Sequence, residues 1–277
     1  NQLLLRMSSS RRKGSDMPVN DDAYANGAHI PDGASYPARW ARDAAAFRNS
    51  LGQRAQMGLR YGPSPRQTFD LFQPEGTPKG TLIFVHGGFW RMFSPSDWSH
   101  LAAGAVARGW SVALPGYELC PDVRIAGITR SIAQAVQVIA GQTTGPLALA
   151  GHSAGGHLVA RMCAAGMLPA DVVARVDHVM PISPLSDLEP LLLTTMNDDF
   201  QMDAAMARAE SPVHQPAPDC DVTVWVGGAE RPAFLDQAQW LADAWGCGHH
   251  VAQDKHHFDV VDALAEPDSA MVRRLLG

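Results

Sequence analysis

Cysteine is scarce in this chain, with four among 277 residues. Cys120, Cys163, Cys220 and Cys247 are widely separated and form no Cys-x-x-Cys pair, which excludes the usual zinc and dithiol motifs and leaves free thiols of a reducing compartment. No metal ligation by these cysteines is therefore expected. Long hydrophobic runs are missing too. The longest have strand length, far short of the ~20 residues of a membrane span, and residues 1–5 are too few for the apolar region of a signal peptide. Nor is there an excess of positive charge. Lys and Arg number 22 against 28 Asp and Glu, a formal net charge of −6, which gives no electrostatic footprint for nucleic acid or an anionic membrane. The expectation is a cytoplasmic protein acting on a small molecule, with no nucleic-acid or membrane partner; a homodimer is compatible with it.

What is present is a globular composition, 46% apolar and 18% charged, in a chain long enough for one large α/β domain. Residues 1–16 carry Arg6, Arg11, Arg12 and Lys13 among serines without periodicity and read as a disordered leader or tag, with the natural start at Met17. Residues 17–66 read as an N-terminal helical segment packing on the core, because Trp40, Ala44, Phe47 and Leu51 recur at helical spacing within 36–57. From 67 to 277 short apolar runs alternate with helical patterns. Strands are expected at 67–72, 81–85, 111–114, 147–150, 176–182, 221–226 and 249–252. Helices are expected at 96–109, 124–140, 157–165, 233–245 and 263–276. This alternation implies crossover connections and a mostly parallel sheet with helices on both faces, where sites lie beyond the carboxyl ends of the strands. Residues 183–218 break the pattern with Pro, Met and acidic residues, and are expected to form a small lid carrying Met196 and Phe200.

The chemistry centres on Gly151-His152-Ser153-Ala154-Gly155, which follows the apolar run 147–150 and precedes a helical stretch. Such a sharp strand-to-helix turn exposes a serine hydroxyl, and its flanking glycines allow the close backbone approach the turn requires. Ser153 is the expected nucleophile. A serine hydroxyl needs a base, and the base an orienting acid, in the chain order Ser, acid, His. His257, in the loop after 249–252, is the expected base, with His256 as its rival. Glu230, just past the end of 221–226, is the expected acid, with Asp236, Asp254 and Asp259 as alternatives. A second Gly turn, His86-Gly87-Gly88-Phe89-Trp90, follows the run 81–85, so the N–H groups of Gly87, Gly88 and Ala154 are the expected oxyanion donors.

HGGFW followed by GHSAGG resembles the α/β-hydrolase superfamily, its hormone-sensitive-lipase-like esterases and, more closely, the kynurenine formamidases, whose fingerprint is HGG-x-W. The stretch 228–234 resembles the formamidase segment in which an aspartate precedes a Ser-Pro pair and a Phe; this carries the catalytic acid onto Glu230, as Glu in place of Asp. His256-His257-Phe258-Asp259 resembles the His-Phe-Asp of that family and selects His257. The resemblance implies an α/β-hydrolase fold and cleavage of a formamide or ester through an acyl-enzyme, without metal or cofactor. Phe89, Trp90, Tyr117 and His152 are assigned to an aromatic substrate pocket, together with Phe93 and Trp98, and Arg91 is a candidate partner for a substrate carboxylate. An arylformamidase is the leading expectation and a short-chain or aryl carboxylesterase the alternative. A hydrolase fold that only binds stands as the non-catalytic alternative, against which the complete set of candidate residues argues.

Overall fold

Apolar runs such as Thr81–Val85 have no polar face to offer solvent, so they must be covered on both sides. In the computed structural model, which describes residues 20–277, this run is the third strand of an eight-stranded sheet and all five of its residues are buried. The strands are β1 (Ala55–Arg60), β2 (Thr68–Phe72), β3 (Thr81–Val85), β4 (Ser111–Pro115), β5 (Leu147–His152), β6 (Val176–Ile182), β7 (Asp221–Gly227) and β8 (Gly248–Ala252), in the spatial order β1-β2-β4-β3-β5-β6-β7-β8. The β1–β2 and β2–β4 pairs are antiparallel and all later pairs are parallel. The expected α/β-hydrolase architecture is thus the observed one.

Alternate residues of the central strands feed two cores. Ile83, Val85, Leu147 and Leu149 pack with the helices Ile125–Gln142, Ala154–Arg161 and Pro232–Trp245 on one face. Leu82, Phe84, Ala148 and Ala150 pack with the helix Tyr36–Leu51 and the terminal helix Ala270–Leu276 on the other. Each large side chain buried in this way contributes about 1.5–3 kcal/mol, so the strand ends stand on a stiff, two-sided base.

Several local expectations are corrected. The N-terminal helix stops at Leu51, where Gly52 takes a positive φ, and the chain continues into β1, which the sequence reading missed. That strand is a largely exposed edge with a register shift, where the Gly58 N–H donates to the buried Asp70 carboxylate instead of a ladder partner; it therefore shows no apolar alternation. In place of one helix over 96–109 there are two 3₁₀ turns, Pro95–Asp97 and Ser99–Ala102, followed by the short helix Ala103–Ala107. Ser94 and Asp97 close a capping box on the first turn, and Trp98 leaves helical geometry to lie against Trp40, ring centroids 4.5 Å apart. The C-terminal region is split by Pro267 into a 3₁₀ turn, Val260–Ala265, and the helix Ala270–Leu276. The leader expected at 1–16 lies outside the described residues. Among those described, no helix is long and apolar enough to cross a membrane.

Candidate active site

β5 ends at His152 and the next helix starts immediately, at Ala154, three residues earlier than its sequence pattern suggests. Ser153 sits between them at φ 58° and ψ −118°, a strained conformation for a residue with a side chain. The surrounding glycines hold it there. A Cβ on Gly151 would lie 2.2 Å from the Gly155 carbonyl oxygen, and one on Gly155 only 1.9 Å from that of Val85. No other residue fits either place, and the tight turn leaves Ser153 on the wall of a cavity.

Glu230 follows the end of β7 and His257 the end of β8, which brings residues 27 apart into contact. His257 Nδ1 lies 2.6 Å from Glu230 Oε2, both side chains being almost wholly buried. A carboxylate only accepts hydrogen bonds, so Nδ1 carries the proton and Nε2 is left as the basic nitrogen. The other carboxylate oxygen, Oε1, accepts from the Gly227 N–H at 2.8 Å and from the Ser183 hydroxyl. Sequence reasoning missed Ser183; its position directly after the end of β6 was the available signal. The rivals are placed elsewhere. His256 turns away from the pair to bond the Tyr36 hydroxyl at 3.0 Å, and Asp259 caps the His256 N–H at 2.8 Å. Asp254 lies in the turn after β8 and Asp236 on the helix Pro232–Trp245. Phe234 and His152 flank the His257 ring with centroids at 4.2 and 4.7 Å.

The loop after β3 approaches the same turn from the opposite side. A Cβ on Gly87 would meet the His152 carbonyl oxygen at 2.8 Å. The N–H groups of Gly87, Gly88 and Ala154 have no acceptor among the described residues, the state required of donors reserved for a developing oxyanion. His86 and Tyr117 brace this loop. Their rings stack at 4.4 Å, and the Tyr117 hydroxyl donates to the His86 carbonyl oxygen at 2.8 Å. Burial lowers the His86 imidazole to a pKa of about 4, so it stays neutral. Phe89, Trp90 and Phe93 all adopt positive φ.

The cavity holds about 460 Å³, an ordinary size for a small-molecule site. Of the residues expected to line it, Phe89, Phe93, Trp98 and His152 do. Trp90 and Tyr117 do not. Trp90 is fully buried edge-on to His157 and Phe200, and Tyr117 lies under the loop after β3. Arg91 is also placed elsewhere, its Nε 2.7 Å from Asp199. None of the described lining residues is Asp, Glu, Lys or Arg, and burial holds His152 neutral, its pKa pushed well below 6.5.

The lid expected over 183–218 does not cover this cavity. Leu185, Leu188, Leu191, Phe200 and Ala207 are buried in the main core, and buried Glu210 ties the segment to Thr129, to Arg161 and, through its carbonyl, to His157. The cover comes instead from residues 24–40, with Tyr24, Asn26, Pro37 and Trp40 among the lining residues. That role left little trace in the sequence beyond the helical spacing at Trp40. Among the described residues no cluster of metal-ligating side chains occurs.

A family model for the alpha/beta hydrolase fold matches residues 82–243, more than half of the chain. Kynurenine formamidase of Danio rerio is 27% identical over 237 residues, covering 79% of this chain and 80% of that protein. The Drosophila melanogaster kynurenine formamidase is 29% identical over 241 residues, covering 78% and 79%. A solved structure from Silicibacter sp. TM1040, described as a "putative thioesterase", is 58% identical, covers 94% of this chain and 99% of its own, and superposes with a TM-score of 0.92. Esterase B of Lactobacillus rhamnosis, at 20% identity and a TM-score of 0.60, shares the fold.

Proposed function

Since the chain belongs to the α/β-hydrolase family, we propose that it is a serine hydrolase cleaving an aromatic formamide, of the N-formylkynurenine type, through a formyl-enzyme. The observation that carries this reading is the His257–Glu230 pair at 2.6 Å, opening with Ser153 onto an uncharged aromatic cavity beside three unpaired N–H groups. Two relatives named kynurenine formamidase support the formamide as substrate.

In this reading His257 Nε2 takes the Ser153 proton as Oγ attacks the formyl carbon. The oxyanion forms against the N–H groups of Gly87, Gly88 and Ala154, an arrangement worth roughly 3–4 kcal/mol per donor in such sites. The amine leaves with the proton from His257, and water, activated by the same imidazole, releases formate and restores Ser153. Glu230 remains ionised throughout and stabilises the imidazolium. Phe89, Phe93 and Trp98 supply the faces against which an aryl ring packs.

The test is kcat/KM for N-formylkynurenine beside p-nitrophenyl acetate, with Ser153→Ala as control. A formamide preference of about 100-fold, or ~2.7 kcal/mol, is expected, and parity between the two refutes the formamide reading. One observation favours a second reading, hydrolysis of an uncharged ester or thioester: the described cavity wall offers no cation for a carboxylate, and the Silicibacter relative carries the thioesterase description. Four free cysteines fit a cytoplasmic setting.

A further inference from the structure

Residues 20–40 are pinned across the mouth of the cavity at both ends. The Asn20 amide donates to the Pro190 carbonyl oxygen at 2.8 Å, the Thr195 N–H donates to Asp21 at 2.7 Å, and Arg231 pairs with Asp22 at 2.6 Å. Further along, Tyr36 bonds His256, and Arg39 pairs with Asp262 at 2.8 Å. Between these anchors the roof is made mostly of residues too small to make side-chain hydrogen bonds, such as Ala25, Gly27, Ala28 and Gly33. The hydroxyl of Tyr24 accepts from Gln237 at 3.0 Å.

Asn26 differs from its neighbours. It lines the cavity and is 6% exposed, yet its amide oxygen has no hydrogen-bond partner among the described residues. Its backbone is fixed on both sides, with its N–H donating to Tyr24 at 3.1 Å and its carbonyl accepting from His29 at 3.0 Å. An amide oxygen buried without a donor is a destabilising feature unless a ligand supplies one. The same wall carries the aromatic residues Trp40, Phe93, Trp98 and Phe258, a ring type that attracts a cation, whereas no described lining residue is Lys or Arg.

We propose that Asn26 is a specificity residue whose amide turns about its Cβ–Cγ bond when substrate enters, bringing its oxygen from a buried, unpaired position to accept a hydrogen bond from an ammonium or amide N–H on the non-reacting part of the substrate, an inference that rests on the serine-hydrolase reading of the cavity. The substrate then carries an amine into the cavity and leaves any carboxylate at its mouth. Asn26 takes no part in bond making.

The experiment measures kcat/KM for N-formylkynurenine and for its deaminated analogue, in the native protein, Asn26→Ala and Asn26→Asp. The native protein is expected to favour the amine-bearing substrate roughly tenfold or more, as fits one hydrogen bond to a charged group. Asn26→Ala brings that ratio near unity, mainly through KM, and Asn26→Asp raises it. Should both rates fall together in Asn26→Ala with the ratio intact, Asn26 only packs the roof and the proposal is overturned. A second pair, para-(aminoethyl)phenyl acetate and para-propylphenyl acetate, is run in parallel. If neither formamide is cleaved, the formamide reading fails, and the same ratio in the ester pair still decides the role of Asn26. Labelling of Ser153 by a fluorophosphonate and thermal melting verify that each variant is folded; Asn26→Asp, nearly isosteric, keeps the test open if Asn26→Ala is not.

Discussion

Replacing Glu230 by Gln separates the charge of this residue from its shape. The carboxylate is met by three donors, the Gly227 N–H at 2.8 Å, the Ser183 hydroxyl and His257 Nδ1 at 2.6 Å. Glutamine keeps the volume but offers one oxygen and one NH₂ group, so at least one of these donors then faces another donor. If the NH₂ group faces His257, the imidazole must move its proton to Nε2, and the nitrogen that should receive the Ser153 proton is blocked. If it faces the backbone instead, the Gly227 N–H is left buried and unpaired, an order-of-magnitude penalty of 1–3 kcal/mol. Either way the developing imidazolium loses the buried anion it pairs with. Comparable neutralisation in Ser-His-Asp sites lowers kcat by roughly 10⁴-fold, about 5.4 kcal/mol. Glu230→Gln should therefore retain about 10⁻⁴ of the native kcat on p-nitrophenyl acetate, with KM changed less than threefold and an unaltered circular dichroism spectrum. Raising the pH does not restore it, because the defect is the site of the proton and not its affinity. Activity within tenfold of native would refute the assignment of Glu230 as the orienting acid and return Asp254 and Asp259 to consideration.

Removing the Ser183 hydroxyl by Ser183→Ala leaves Glu230 two of its three donors; kcat should fall about tenfold with KM unchanged, and an unchanged kcat in steady-state assay would restrict Ser183 to packing. Arg91→Ala breaks the pair with Asp199 outside the cavity, so kcat/KM for N-formylkynurenine should stay within threefold, whereas a selective rise in KM would make Arg91 the carboxylate partner. Stability should depend steeply on acid. Burial holds His86 and His157 at a pKa of about 4, and His152 well below 6.5. The unfolded chain binds these protons below pH 6.5 and the folded chain does not, so stability is full above pH 6.5 and is lost as pH falls from 6.5 toward 4. Each such imidazole contributes ~1.4 kcal/mol per pH unit in that window. Urea midpoints at pH 7.5, 6 and 5 measure the slope, and a flat profile would mean that these rings are protonated in the folded protein.

The parts of the site legible in the sequence are those set by local steric rules. Gly151 and Gly155 bracket Ser153 because their Cβ positions are occupied by backbone, so the elbow has a five-residue signature. Glu230 and His257 were locatable because each stands just past a strand that an apolar run marks. The roof was not legible. Tyr36 bonds a residue 220 positions away and Arg231 reaches Asp22 across 209, and contacts at such separation leave no periodicity behind. Trp90 and Tyr117 were misplaced because an aromatic ring suits a core as well as a pocket, and composition does not tell the two apart.

The two classes of residue also answer to different physical demands. In the proposed mechanism Ser153, His257, Glu230 and the N–H groups of Gly87, Gly88 and Ala154 must hold their positions to within a fraction of an ångström, and they sit at the ends of strands whose faces are closed by two apolar cores. The roof has only to choose what enters. Apart from Tyr24 and Trp40, which belong to the two cores, it is held by side-chain bonds and ion pairs to Pro190, Thr195, Arg231, His256 and Asp262. Substitutions among residues 25–34 can therefore change the accepted substrate without disturbing the strand ends, whereas a change at Gly155 or Gly87 displaces backbone and removes the chemistry for every substrate. By this argument the 58% identity to the Silicibacter protein decides substrate only to the extent that the roof residues, Asn26 first among them, are shared.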